Sequence, residues 1–283
     1  MSATTPNAPP NATTELTAMP QPEAMNLPSG PAFLALWNHI NDEARRDEYE
    51  RWHVFEHVPE RVALPGFLGA DRYRSVDSDR GYFTLYHLDG LHALQTELYR
   101  DVFTHPTPWS ARMRPVLSQF YRLPCVCAGQ VGASRAPQLA TLRWSQPTPA
   151  VAAALNAWLQ AEVDAGALVH AQWGWAPPTE AYWLANVTSD TARDGVEHVA
   201  VLQHYSQAGV ETALARLQAF LAYQPAQAPV VLGSAHIYQL QTRIDRCTDP
   251  AESVDAPIAS FASTTANGRR PPHTRLFNHY NRG

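Results

Sequence analysis

Two histidines, two glutamates and two arginines fall close together in the stretch Arg51–Phe67, RWHVFEHVPERVALPGF. His53 and His57 are four apart, so on a helix they share one face, a turn apart. Glu56 adjoins His57 and lies one turn from His53. An imidazole titrates near neutral pH, and a neighbouring carboxylate, Glu56 or Glu60, can orient it and raise its basicity. Such a base suits proton transfer at a carbon next to a carbonyl, with a donor to steady the enolate oxygen. Candidate donors are Tyr86, Tyr73, Arg72 and His87. The plainer reading is that Glu56, His57 and Arg61 form a polar cluster that fixes a helix end. The same residues also spell H-x-x-E-H, an inverted zinc-peptidase motif. No third protein ligand follows at helical spacing, and Pro59 truncates the helix that would carry one, so the site is read as metal-free.

Other residues join this set by pattern. Trp37 and His39 lie on the first expected strand and His87 on the third, which are adjacent central strands in a split βαβ sheet. With Tyr73 they are expected to converge on one cavity; alternatively each histidine is a structural hydrogen bonder. Arg72 and Arg74 share a strand face and suit bidentate pairing with a carboxylate substrate, or a solvated face. Trp158, Trp173, Trp175 and Trp183 enrich the second half in aromatics that suit core packing or an aromatic-substrate pocket. His170, His198, His204 and His236 lie there too.

The elements that must position these groups can be taken in chain order. Residues 1–31 are rich in proline and poor in core formers, and read as a disordered leader. Ala32–His39 reads as a strand, and Asp42 caps a helix expected to end near His57 because of Pro59. Phe67–Ser75 and Tyr82–Leu88 read as strands joined by a hairpin at Ser78–Gly81. A second helix is expected over Leu91–Arg100 and a fourth strand over Pro115–Cys127. The order strand, helix, strand, strand, helix, strand defines the first unit, 32–127. After a linker, 128–137, the order recurs over 138–243: strand Gln138–Trp144, a helix from Thr148 or Pro149 to about Ala165, strands Ala167–Trp175 and Glu197–Tyr205, helix Gly209–Tyr223 and strand Val230–Leu240. An insertion at 176–195 is given an extra strand at Tyr182–Val187. Residues 244–283 read as a polar tail. The fold class is therefore α+β: two tandem ferredoxin-like βαββαβ units, the second a diverged copy of the first.

Trp52, Glu56-His57, Pro59-Glu60-Arg61, Leu64-Pro65-Gly66-Phe67, Arg72-Tyr73-Arg74 and Thr107-Pro108-Trp109 together resemble the dimeric α/β-barrel superfamily, in particular its EthD-like branch. The resemblance covers about Ala32–Cys125, and the second half shares only the element order. It implies that two four-stranded sheets close into a barrel, with a cavity between sheet and helices. Here both copies lie in one chain, an intrachain pseudo-dimer, and a homodimer of such chains is a further expectation. The superfamily includes isomerases, decarboxylases, cyclases, cofactor-free monooxygenases and tandem haem proteins. The reading that follows is a cofactor-independent enzyme of the lyase or isomerase type, acting on a small aromatic or carbonyl-bearing metabolite. His57 and Glu56 with His87 and Tyr86 would form the catalytic group, and Trp37, His39, Arg72, Tyr73 and His53 would bind substrate. The alternatives are a haem- or metal-dependent oxidoreductase or lyase, or a non-catalytic binding protein.

Composition removes other classes. All 21 basic residues of the 283-residue chain are arginine. Without lysine there is no Schiff base, no lysine-anchored pyridoxal cofactor and no P-loop. A formal net charge of −5 gives no electrostatic support for a nucleic-acid or anionic-membrane partner. Cys125 and Cys127 are expected to point to opposite sides of a strand, and no cysteine pair has zinc-ribbon spacing. With no secretory signal and no apolar run of membrane-spanning length, a reduced cytoplasmic protein is expected.

Overall fold

A computed structural model of the chain describes residues 30–79, 81–145, 151–178, 196–223 and 230–246. The leader, the Tyr182–Val187 strand, Trp183, Cys247 and most of the tail lie outside the described residues.

Eight antiparallel strands form one closed barrel in the order β1-β3-β2-β8-β5-β7-β6-β4. The first unit supplies β1 Ala32–Ile40, β2 Phe67–Ser75, β3 Gly81–Leu88 and β4 Leu117–Val131. The second supplies β5 Gln138–Ser145, β6 His170–Ala176, β7 Glu197–His204 and β8 Val231–Asp245. Within each unit the spatial order is fourth, first, third, second, so the ferredoxin-like unit occurs twice, and the pseudo-dimer is built within one chain.

Two seams join the units. β2 pairs with β8, and β4 pairs with β6. The seams explain why β4 and β8 run to 15 residues each, longer than their sequence patterns suggested. β4 uses Leu117–Val126 against β1 and Val126–Val131 against β6. β8 uses Val231–Gln239 against β5 and Tyr238–Asp245 against β2. Each long strand therefore belongs to both halves.

An eight-stranded barrel is just wide enough for side chains to fill it. Alternation sends Phe33, Ala35, Trp37, Phe83, Leu85, Leu123, Leu139, Val199 and Val201 into the lumen, where they form one buried cluster with Tyr73 and Tyr238. The opposite faces of the strands meet the helices. In the second unit these are α5 Ala152–Asp164 and α6 Gln207–Ala222, packed on Ala140, Leu142, Leu202 and Trp173.

The first unit's helical layer departs from expectation at Pro59. A 3-10 turn, Glu43–Arg45, capped by the Asp42 carboxylate, leads into α1 Arg46–Trp52. A π-turn follows at His53–His57, and then α2 Val58–Val62. The helix therefore does not stop near His57. In an α-helix the Pro59 ring would strike the carbonyl four residues back. The π-turn widens the coil there: the Val58 N–H bonds the His53 carbonyl, five residues back, and Pro59 sits in the first turn of α2, where its missing N–H leaves no bond unmade. The second helical stretch is likewise split. A 3-10 turn, Leu91–Gln95, ends at Thr96, whose hydroxyl caps α3 Glu97–Thr104. α4 Pro108–Met113, capped by Thr107, and a 3-10 turn Arg114–Val116 lead into β4.

At the β4–β6 seam Gly174 lies against both strands. A Cβ there would fall 2.3 Å from the Val126 carbonyl oxygen and 2.8 Å from the Phe33 ring. Gly174→Ala is expected to lower stability by about 1–3 kcal/mol, read as the shift in urea midpoint. An unchanged midpoint would mean that this seam tolerates separation.

Candidate functional site

A cavity of about 30 Å³ lies between the helix-facing side of the first sheet and its helices. Leu34 and Leu36 of β1, with Leu117 and Phe120 of β4, make its apolar floor. His57 and Arg61 enter from the helix, Tyr99 and Phe103 from α3, Tyr86 from β3, Arg114 from the turn into β4, and Arg122 from β4 itself.

His57 is held by packing. Its ring centroid lies 4.2 Å from that of Trp52 and 5.0 Å from that of His53, the two imidazoles stacked at 23°. Neither His53 nor His57 has a partner for Nδ1. Burial holds the His57 pKa well below the ordinary imidazole value, and the Arg61 cation, His53 and Arg114 push it further down. The imidazole is therefore neutral at neutral pH. The carboxylates do not raise its basicity as the sequence suggested.

Glu56 turns away from His57. It accepts hydrogen bonds from the Thr107 hydroxyl and from Ser110 Oγ (2.9 Å), and the Trp52 indole in turn donates to Ser110 Oγ at 3.1 Å. Glu56 thus ties the π-turn to the start of α4. This same arrangement answers the H-x-x-E-H motif, since its glutamate is engaged elsewhere and its imidazoles lie face to face. Among the described residues no group of three or more His, Cys, Asp or Glu is placed to hold a metal.

Tyr86 is fully buried and its hydroxyl has no hydrogen-bond partner. Burial raises its pKa, so the hydroxyl stays protonated and is available as a donor to a ligand. Three guanidiniums share the cavity wall with it. Arg61 donates to the His57 carbonyl at 2.8 Å, stands 5.1 Å over the Phe103 ring and lies 3.6 Å from Glu60. Arg114 donates to the carbonyls of Phe103 and Val102, both at 2.7 Å. Arg122 donates to the Tyr99 hydroxyl at 3.2 Å. The lining includes these three guanidiniums and no carboxylate, Glu60 standing beside Arg61 outside it, and Arg61 and Arg114 act on His57 as positive charge. Sequence reading missed Tyr99, Phe103, Arg114 and Arg122. Alternation of Arg122 with Phe120 on β4 was the available signal, and nothing local marked Arg114.

The remaining candidates do not join His57. Tyr86 and His87 are neighbours on β3 and so face opposite sides of the sheet. His87, Trp37, Tyr73 and His39 point into the barrel. Trp37 packs on Phe83 at 5.0 Å and Tyr73 on Phe83 at 6.0 Å. His87 bonds Asp71 at 2.8 Å, and His39 sits at the far end of the lumen beside His236. Trp37, His39, Tyr73 and His87 therefore share the lumen face but do not converge, since His87 pairs with Phe33 and His39 with Gly81 at opposite ends of β1, and the sheet separates them from the cavity. Arg72 is on the helix-facing side but buried in an ion pair with Glu50, with Tyr82 and Tyr49 beneath its guanidinium at 4.9 and 5.5 Å. An internal carboxylate thus takes the place proposed for a substrate's. His53 is 2% exposed, stacked between Tyr49 and His57.

As it stands, the cavity beside His57 is too small for a haem. The cavity is far below the roughly 300–1,000 Å³ of pockets for drug-sized ligands. In the second unit His198 is stacked on Trp144 at 5.2 Å and 13°, His204 bonds Ser206, and His170 and His236 face the lumen.

No family model and no curated protein matches the chain. Solved structures do. An anthrone oxidase-like protein shares 12% identity over 79% of this chain and 97% of its own, with a TM-score of 0.51. The fold is the dimeric α/β barrel. A monooxygenase-like protein from Lactobacillus acidophilus (10% identity, 77% of this chain and 97% of its own, TM-score 0.46) and a heme-binding protein from Thermus thermophilus (10%, 75% and 92%, TM-score 0.42) also align to it. In this chain the dimeric α/β barrel closes on itself, and the cavity beside His57 lies in the first unit.

Two outcomes follow from the site's geometry. Glu56→Ala leaves the Thr107 and Ser110 hydroxyls without their acceptor, and is expected to cost about 1–3 kcal/mol in urea unfolding; no change would mean that Glu56 does not hold α4. Buried His53 and half-buried His57 both have pKa values held well below the ordinary one, and His170 is lowered to about 3. Unfolded imidazoles take up protons near pH 6.5 while the folded ones do not, so the unfolded state binds more protons below that pH. Stability is expected to be level above about pH 7.5 and to fall steadily as pH drops through about 6.5, measured as urea midpoint against pH. A midpoint level from about pH 8 to about pH 5 would contradict the burial of these rings as neutral groups.

Proposed function

We propose that the chain is an enzyme that moves a proton on a small carbonyl-bearing or aromatic metabolite, with His57 as the base. The observation that carries this is an imidazole whose buried Nδ1 has no partner and a phenol hydroxyl with no partner, His57 and Tyr86, at one cavity lined also by Arg61, Arg114 and Arg122.

A neutral imidazole is ready to accept a proton, but its low pKa makes it a weak base. The cations that lower that pKa also favour negative charge on a bound substrate. An enolate or phenolate forming beside Arg61 and Arg122, with the Tyr86 hydroxyl donating to its oxygen, would be stabilised by the same field. The substrate is therefore made more acidic where the base is made weaker. The apolar floor suits a flat ring or short chain. Isomerisation, dehydration and cyclisation start from such a carbanion, whereas decarboxylation generates it by loss of CO2 and then takes up a proton, and a lyase or isomerase assignment rests on that shared intermediate. An anthrone oxidase-like protein on the same fold is in keeping with an aromatic carbonyl substrate. The cavity is small, so a ring-sized substrate requires α3 to shift outward, an element that follows one short 3-10 turn and is joined to α4 by the 105–107 segment. No cofactor enters this reading. The free thiols of Cys125 and Cys127 are in keeping with a reduced, cytoplasmic setting. Among the described residues no helix is long and apolar enough to cross a membrane.

Turnover of a panel of small enolisable and phenolic carbonyl compounds tests the proposal. With any active substrate, His57→Ala is expected to lower kcat/KM by about 10²–10⁴ while the fold is kept by circular dichroism. Tyr86→Phe is expected to lower kcat/KM with no loss of stability, since its hydroxyl makes no bond to lose. The acid limb of the pH–rate profile should lie well below about pH 6.5, because the base stays unprotonated there. An acid limb at or above that pH, or full activity in His57→Ala, would remove His57 from the role.

A further inference from the structure

The second polar concentration lies inside the barrel, on the opposite side of the sheet from His57. At the end where β3, β7 and β8 finish and β2 and β6 begin, the inward positions stop being apolar. Six residues meet at this rim: Asp71 on β2, His87 on β3, His170 on β6, Gln203 on β7, Arg243 on β8, and Arg135 on the 132–137 loop that connects the two units. His87 bonds Asp71 at 2.8 Å, and Arg243 stands 3.8 Å from the other Asp71 oxygen. His170 and Gln203 are direct partners across the β6–β7 ladder.

Two of these side chains are unsatisfied. His170 is 0% exposed, and neither ring nitrogen has a partner. Gln203 is 0% exposed; its Oε1 accepts from the Ala136 N–H at 3.1 Å, but its Nε2 bonds nothing. Buried donors of this kind are rare, because each one has given up water and gained nothing in exchange. A packed barrel could have placed leucine at either position, as it does at Leu123 and Leu139. Burial together with the Arg135 cation keeps His170 neutral, so it offers one N–H and one bare nitrogen.

The loop is fitted to this rim. Gly132 has φ of +84°, and a Cβ on it would fall 2.3 Å from the Val169 carbonyl oxygen and 2.9 Å from His170 Cα. Only glycine lets the loop lie so close to His170, and three residues later the loop presents Arg135. The other charges at the rim are already matched: Asp71 is shared by His87 and Arg243, and Arg243 also bonds Asp245 at 2.8 Å. Arg135 makes no ion pair among the described residues; Asp71 and Arg243 are rim charges that act on it, and its exposed side chain can face an incoming anion.

We propose that this barrel mouth is a second binding site, for a small carboxylate. One carboxylate oxygen would accept from Gln203 Nε2 and the His170 N–H, and the other would pair with Arg135, with the Asp71-bound His87 and Arg243 forming the outer wall. The site is independent of the His57 cavity, because the sheet separates them.

The test is acetate titration of the full chain at constant ionic strength, with chloride as the balancing anion, followed by melting temperature and by the ring resonances of His170. Wild type is expected to gain stability and to shift the His170 resonances saturably with acetate, and chloride should do neither. Arg135→Ala, at an exposed loop position, should weaken binding roughly 10–100-fold. His170→Leu should abolish binding and melt no lower than wild type without acetate, since it removes two unpaired nitrogens. His57→Ala should bind acetate as wild type does, which separates this site from the proposed catalytic one. An absence of any acetate-specific shift in wild type would mean that only water fills the mouth, and a shift that survives in both Arg135→Ala and His170→Leu would place the anion elsewhere. Either result overturns the proposal.

Discussion

Closure of the backbone ladder at the β2–β8 and β4–β6 seams is the constraint on which the rest of the structure depends. A lone ferredoxin-like unit ends in two open strand edges and one uncovered apolar face, and both invite association. Here each unit's fourth strand outgrows its own sheet and pairs with the other unit's second strand. All edges are used, and the two uncovered faces become one lumen filled by Phe33, Phe83, Leu139, Val201 and their neighbours. The second unit occupies the place that a partner subunit would take. Because the seams lie within one chain, the two halves are free to diverge, which a symmetric homodimer does not permit.

That freedom shows on the helix-facing sides. Reading the β1–β3 and β5–β7 ladders side by side sets Leu34, Leu36 and Tyr86 against Ala140, Leu142 and Leu202. The first unit keeps a phenol, an imidazole and three guanidiniums around a cavity. The second replaces them with an apolar layer in which Leu155, Leu159, Leu214 and Leu217 press onto the sheet, and Trp144 and Trp173 flank His198. Apolar packing of this kind is the simplest way to cover a sheet. One half therefore serves as scaffold, and the polar groups of the other half stand out as departures from the ordinary solution.

The sequence made some of this legible and hid the rest for identifiable reasons. The element order and the two-unit architecture could be read because strand alternation and helix caps are local signals: Asp42, Thr96 and Thr107 each cap the helical segment they precede. Strand lengths could not, since the C-terminal halves of β4 and β8 pair across seams that no local pattern reveals. Tyr86 could be named from sequence as a donor beside His57, but the side of the sheet that it faces comes from the structure. The expected pairing of His57 with Glu56 did not survive, because neighbours in sequence point in different directions on a helix and the partners of Glu56, Thr107 and Ser110, are more than fifty residues further along the chain. His87 was grouped with Tyr86 by proximity along the chain, yet adjacent strand residues face opposite sides of a sheet, and that separation sends one to the cavity and the other to the lumen.

Pro59 links the backbone to the chemistry. It was read as the end of a helix, and the chain instead inserts a π-turn immediately before it. The wider turn brings His53 and His57 into a stack, sets Glu56 toward α4, and leaves the Nδ1 of both imidazoles buried without a partner. A residue that merely ended a helix would have been served by glycine at a cap and a solvated side chain. Burying two such imidazoles beside arginines works against stability. Local cost of this kind is commonly retained where it prepares a group for contact with something that is not part of the chain. His198 also has a buried Nδ1 without a partner, but it lies flat against Trp144 in a mostly apolar layer. What distinguishes the two is that the ring on the π-turn borders an open space and three positive charges, and that is where an anionic intermediate would be held.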